Sequence, residues 1–166
     1  MMCIGPDCVV KLSGPHLALM AQVRTNLSRS RSFRPDWLDS FQSLPIQNTT
    51  IFGFIQPPRY PFAGVLRPQS CAQLLIWMPA LEQITLDASV APSFIRALEP
   101  VDGDLLCPKL RYLILVRRAD HKVDLRNSLR TLSQRRKGHG CTLRCGIGAY
   151  GSSGQGYKIV HLEVVV

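Results

Sequence analysis

Gly146-Ile147-Gly148-Ala149-Tyr150-Gly151 spells the G-x-G-x-x-G pattern that cradles phosphates, and Lys158 follows it as in a kinase glycine loop. Such a cradle needs a strand before it. After it comes either a helix or a second strand with a catalytic lobe, so that free backbone N–H groups face the ligand. Fifteen residues follow Gly151 in this sequence, too few for either, and the glycines are expected to form a flexible loop over 148–156. His139, Cys141 and Cys145 offer three soft metal ligands, and Cys3 with Cys8 offers two more. Structural zinc wants close cysteine pairs on turns that aim the thiolates together. Cys141 and Cys145 instead share the inward parity of an expected strand, where a thiol packs as a small apolar group. His121 and His161 are lone histidines with no partner fixed by the sequence. A nucleophile elbow, paired carboxylates in an apolar frame and H-E-x-x-H are all missing, so the chain reads as non-catalytic, without cofactor or metal.

A formal charge of +9 is the other chemical signal. Lys109, Arg111, Arg117, Arg118, Lys122, Arg126, Arg130, Arg135, Arg136, Lys137 and Arg144 face only Asp120 and Asp124, so this stretch carries the whole imbalance. Such a field attracts nucleic acid or an acidic protein surface, or serves as a solvated basic face. A second group, Arg24, Arg29, Arg31 and Arg34, sits among serines near the N-terminus. No apolar run nears the roughly 20 residues that cross a bilayer, and Cys8 to Leu12 is too short for a signal peptide. Six cysteines without such a signal read as free thiols, which places the expected home in the cytosol or nucleus and leaves the Asn48-Thr49-Thr50 sequon unused.

The elements that must position these residues repeat. Pro79-Ala80-Leu81-Glu82-Gln83-Ile84-Thr85-Leu86 and Pro108-Lys109-Leu110-Arg111-Tyr112-Leu113-Ile114-Leu115 share a proline followed by Leu-x-x-(Leu/Ile)-x-Leu, offset by 29 residues. A period within the roughly 20–29 residues of leucine-rich repeats predicts a strand-plus-helix unit that buries its apolar side only by stacking on its neighbours. Strands are expected near 49–54, 83–87, 111–116 and 141–147, with helices over 69–78 and 92–98. A further helix follows Asp124 as N-cap, carries Leu125, Leu129 and Leu132 on one stripe, and stops at Gly138. Alternating elements of this kind imply a parallel sheet. Residues 160–166 form a last strand, which either continues the series or folds back as an antiparallel hairpin closing its edge. Residues 1–43 are expected to be weakly structured, with at most a short helix over 16–23, and residues 44–166 to form the domain.

From Leu44 to about Gly138 the chain resembles the leucine-rich-repeat region of fungal F-box proteins. Leu74-Leu75-Ile76-Trp77-Met78-Pro79-Ala80-Leu81-Glu82-Gln83-Ile84-Thr85-Leu86 is similar to its helix running into P-x-L-E-x-x-x-L. Leu105-Leu106-Cys107-Pro108-Lys109-Leu110-Arg111-Tyr112-Leu113 is similar to L-C-P-x-L-x-x-L, and Ser133-Gln134-Arg135-Arg136 to the helix ending E-S-R. The resemblance implies partner recognition in a ubiquitin-ligase assembly. No segment resembles the F-box itself, the helical region that docks a Skp-type adaptor.

The expected fold is therefore an irregular α/β leucine-rich-repeat solenoid, and the expected function a non-catalytic protein-interaction module. Leu81, Ile84, Leu86, Leu110, Leu113 and Leu115 point inward in the repeat frame. Strand parity sets Gln83, Thr85 and Asp87 beside Tyr112, Ile114, Val116 and Arg118 on the open face as the partner-binding surface, with Ile114 and Val116 making an apolar patch. The alternative is a nucleic-acid-binding protein acting through Arg126, Arg130, Arg135, Arg136 and Lys137.

Overall fold

The computed structural model describes residues 7–14, 17–24, 46–55, 66–117, 124–153 and 156–166. The chain order is β1 (Asp7–Gly14), β2 (Leu17–Arg24), β3 (Ile51–Ile55), α1 (Pro68–Ile76), β4 (Gln83–Asp87), α2 (Ala91–Leu98), β5 (Tyr112–Arg117), α3 (Arg126–Gly138), β6 (Arg144–Ser153) and β7 (Gly156–Val164). These strands form one sheet in the order β2-β1-β3-β4-β5-β6-β7. The centre, β3 to β6, is parallel, each step crossing over through a helix. Antiparallel strands flank it on both sides: β1 pairs with β2 and β3, and β6 pairs with β7.

The sheet carries the sequence repeat in its register. Ile84 pairs with Leu113 and Leu86 with Leu115, so the step from β4 to β5 is 29 residues. The steps from β3 to β4 and from β5 to β6 are 32. Two rows result, Phe52-Ile84-Leu113-Cys145 and Phe54-Leu86-Leu115-Ile147, both on one face. Leu74 and Leu75 of α1, Phe94, Ile95 and Leu98 of α2, and Leu129 and Leu132 of α3 join these rows in a single core cluster. Phe94 seats α2 on β3 with ring centroids 5.9 Å from Phe52 and 6.2 Å from Phe54. Each such side chain, fully buried, contributes about 1.5–3 kcal/mol. The six expected inward residues, from Leu81 to Leu115, are all at most 1% exposed.

Local chemistry explains the helix ends. Pro68 and Pro92 lie in the first turns of α1 and α2, where a missing N–H costs nothing. The N-cap position of α3 is Leu125, yet Asp124 still accepts the Arg126 N–H at 3.0 Å. Its left-handed glycine falls two residues beyond the expected one. Gly138 is helical, and Gly140 turns left-handed at φ 79°. The Gly140 N–H donates to Lys137 O and the Cys141 N–H to Arg136 O, both at 3.0 Å, the paired bonds of a Schellman motif.

Two expectations are corrected. Asp7–Gly14 and Leu17–Arg24 are paired strands where loops or a short helix were expected; β partners supply what local apolar periodicity did not show. The expected boundary at residues 43 and 44 lies outside the described residues. The glycine pattern at 146–151 is strand, not loop: Gly146 pairs with Ile114 and Val164, and Gly148 with Val116 and Leu162. From Gly146 to Ala149 ladders on both sides leave the backbone no free N–H row to offer a phosphate.

Candidate functional site

Three connectors meet at the amino-terminal ends of the parallel strands: the residues leading into β4, β5 and β6. Each is tied to the next by backbone. Thr50 O accepts the Glu82 and Gln83 N–H groups at 2.9 and 3.0 Å. Glu82 O accepts the Arg111 and Tyr112 N–H groups at 2.8 and 3.0 Å, and Arg111 O accepts the Arg144 N–H at 2.8 Å. Between them opens a cleft of about 660 Å³ lined by Glu82, Lys109, Arg111, Tyr112, Cys141 and Arg144, with Pro108, Leu110, Gly140 and Thr142 completing its wall.

Its charge is one-sided. Lys109, Arg111 and Arg144 are exposed and stand in no ion pair among the described residues, against the single carboxylate of Glu82. Tyr112, 41% exposed, lines the same cleft.

Arg136 fixes the cleft's wall from inside. It is 0% exposed, and its guanidinium donates to Leu98 O at 3.3 Å, Leu106 O at 2.9 Å and Cys107 O at 2.7 Å. These bonds bind the end of α3 to the 98–107 loop that carries Pro108 and Lys109 into the cleft. Cys107 takes the left-handed φ of 51°, uncommon for a residue with a side chain, and its thiol points at Leu75 O and Met78 O, 3.5 and 3.7 Å away. Burial pulls the Arg136 guanidinium below its ordinary range, with Cys141, Cys107 and Cys145 acting the other way. Burial pushes the thiols of Cys71, Cys107 and Cys145 up to about 12, so these are packing groups and not nucleophiles.

The expected partner surface is only partly open. Gln83 pairs with Tyr112, Thr85 with Ile114, and Asp87 with Val116, which is the lateral arrangement expected. Val116 is 0% and Asp87 2% exposed, however, so the apolar patch does not extend along the strands. Asp87 Oδ1 accepts the Ser89 N–H at 3.0 Å and its hydroxyl at 2.7 Å, a turn that carries the chain toward α2. In the row Gln83-Tyr112-Arg144 at the amino-terminal edge Tyr112 and Arg144 are exposed, while Gln83, like Thr85 and Ile114 in the next row, is half-buried. Arg118 lies outside the described residues.

The alternative nucleic-acid surface is dispersed. Arg136 is the buried residue just described, which corrects its placement on an exposed face. Arg126 grips Glu163 of β7 through two bonds of 3.2 and 2.8 Å, and Arg135 pairs with Glu99 at 3.0 Å. Arg130 and Lys137 alone of the five are exposed and in no ion pair among the described residues. Sequence reasoning named Lys109, Arg111 and Arg144 only as part of the basic run. The Pro-Lys-Leu-Arg connector, with cations on either side of an inward leucine, was the signal that could have singled out two of them.

Cys71, Cys107, Cys141 and Cys145 are free. Cys141 lies in the connector before β6, not on the strand with Cys145, and its thiol donates to Pro108 O at 3.3 Å across the cleft wall. His121 and Cys3 lie outside the described residues. No helix among the described residues is long and apolar enough to cross a membrane. No family model, curated protein or solved structure matches the chain.

Proposed function

We propose that the chain is a non-catalytic protein-interaction module, an irregular leucine-rich-repeat solenoid whose contact surface is the amino-terminal edge of its parallel strands. One observation carries this: Gln83, Tyr112 and Arg144 form a continuous row across three strands, and the exposed Tyr112 and Arg144 of that row line a basic cleft, while Asp87 and Val116 further along the expected face are buried. An exposed aromatic beside an arginine is the usual make-up of an interface anchor. The resemblance to the repeat region of fungal F-box proteins supports a partner within a ubiquitin-ligase assembly.

Affinity capture from cells with mass spectrometry, comparing the native chain with Tyr112→Ala, tests the reading. Ligase subunits or one defined protein partner, lost with the variant, is the expected result. A capture dominated by RNA-dependent proteins sinks it.

A further inference from the structure

We propose that the cleft between the three connectors receives an acidic peptide segment of the partner, its anionic side chains set against Lys109, Arg111 and Arg144. This rests on the interaction reading above and names the partner's chemistry. Charge is the first argument. Three exposed cations converge with no ion-pair partner among the described residues, while Arg126 and Arg135 elsewhere on the chain are already engaged. Cations left uncompensated in a concave site attract anions more strongly than the same charges spread on a convex surface.

Shape is the second argument. A volume of about 660 Å³ lies in the range of a site for a small ligand or a few residues, well short of a protein face. The connectors stand side by side at the spacing of parallel strands, roughly 4.8 Å, and an extended chain advances roughly 3.3–3.6 Å per residue. A segment of about three residues therefore spans all three connectors, with alternate side chains facing the cleft.

Glu82 and Tyr112 decide the class of anion. A carboxylate on the lip repels an unbroken phosphate backbone, yet it accepts an N–H, which a peptide offers at nearly every residue. Single-stranded nucleic acid is held by several aromatic platforms in succession, and the lining has one, Tyr112. The site is also preformed. The Arg136 bonds, the Schellman turn at Gly140 and the connector ladder hold its walls before any ligand arrives.

Fluorescence anisotropy on the full chain tests the proposal. The probes are a labelled peptide rich in Asp and Glu, its Asn/Gln counterpart, a phosphoserine version and a uridine-rich RNA of similar length. Acidic or phosphorylated peptide should bind, and Arg111→Glu with Arg144→Glu should weaken it roughly tenfold or more, with rising salt acting in the same direction. Whichever of the two peptides binds tighter identifies carboxylate or phosphate as the natural anion. Arg96→Glu, exposed on α2, should leave binding unchanged. Circular dichroism confirms that these surface variants fold. Equal binding of charged and neutral peptides, or full binding by the double variant, overturns the proposal; so does RNA binding tighter than either peptide. If no acidic peptide binds while Tyr112→Ala still abolishes capture of a defined partner, this inference fails and the interaction reading stands.

Discussion

A buried arginine that answers three backbone carbonyls has no simple substitute. Arg136→Met would fill much of the space but take this donor from the carbonyls of Leu98 and Leu106 and leave Cys107 O with only the Leu110 N–H. Orphaned buried acceptors and lost charge-assisted bonds together cost about 3 kcal/mol or more. The urea midpoint should fall accordingly with its slope unchanged. Arg136→Lys should recover only part of this, because a lone ammonium cannot fork to carbonyls on two sides. The thiols set a second expectation at the same scale. Burial raises the thiols of Cys71, Cys107 and Cys145 from their ordinary 9.0 to about 12 in the fold. Their folded values are raised, so their contribution is complete below pH 9 and drains away as the pH climbs toward 12. Each thiol removes on the order of 1 kcal/mol per pH unit across that window. Denaturation measured across this alkaline range should show a steep decline, and Cys107→Ala should make it shallower.

At the scale of elements, Leu113 sits at the middle of a core row between Ile84 and Cys145. Leu113→Ala should cost about 2–5 kcal/mol through lost burial and the cavity left behind, read as a lowered melting temperature. Gly140 has open space around it, so Gly140→Ala meets no clash. Its left-handed φ alone makes the change costly, by about 1 kcal/mol, whereas Gly138→Ala in the last helical turn should be neutral or stabilising. Thermal melts of the two variants separate these outcomes. The elements whose own residues carry the pattern were legible: β4 and β5 from the repeated leucines, α2 from Pro92 with Phe94, Ile95 and Leu98, α3 from its leucine stripe. What depends on distant pairing was not. β1 and β2 exist as strands through each other and through β3, and no alternation marked them. The glycines of β6 read as loop because propensity speaks for a segment alone, while two neighbouring strands impose extension. The site was legible only as a row. That Val116 would be buried and Arg136 turned inward depends on tertiary cover, for which strand parity and helix spacing carry no term.

Across the whole molecule, four parallel strands are bounded on either side by antiparallel partners. A stack of like units has no intrinsic end, since every unit offers the next one the same edge. From Cys145 to Ser153, β6 carries no charged residue, whereas β7 brings Lys158, His161 and Glu163. An uncharged, glycine-rich strand left as a rim would present unpaired backbone to any other chain. Truncation after Ser153 should therefore give a species whose sedimentation shifts with concentration, while the full chain's does not. Seen this way, β7 is a gatekeeper against polymerisation: it covers a rim that could template further growth and puts a strand carrying charged residues in its place.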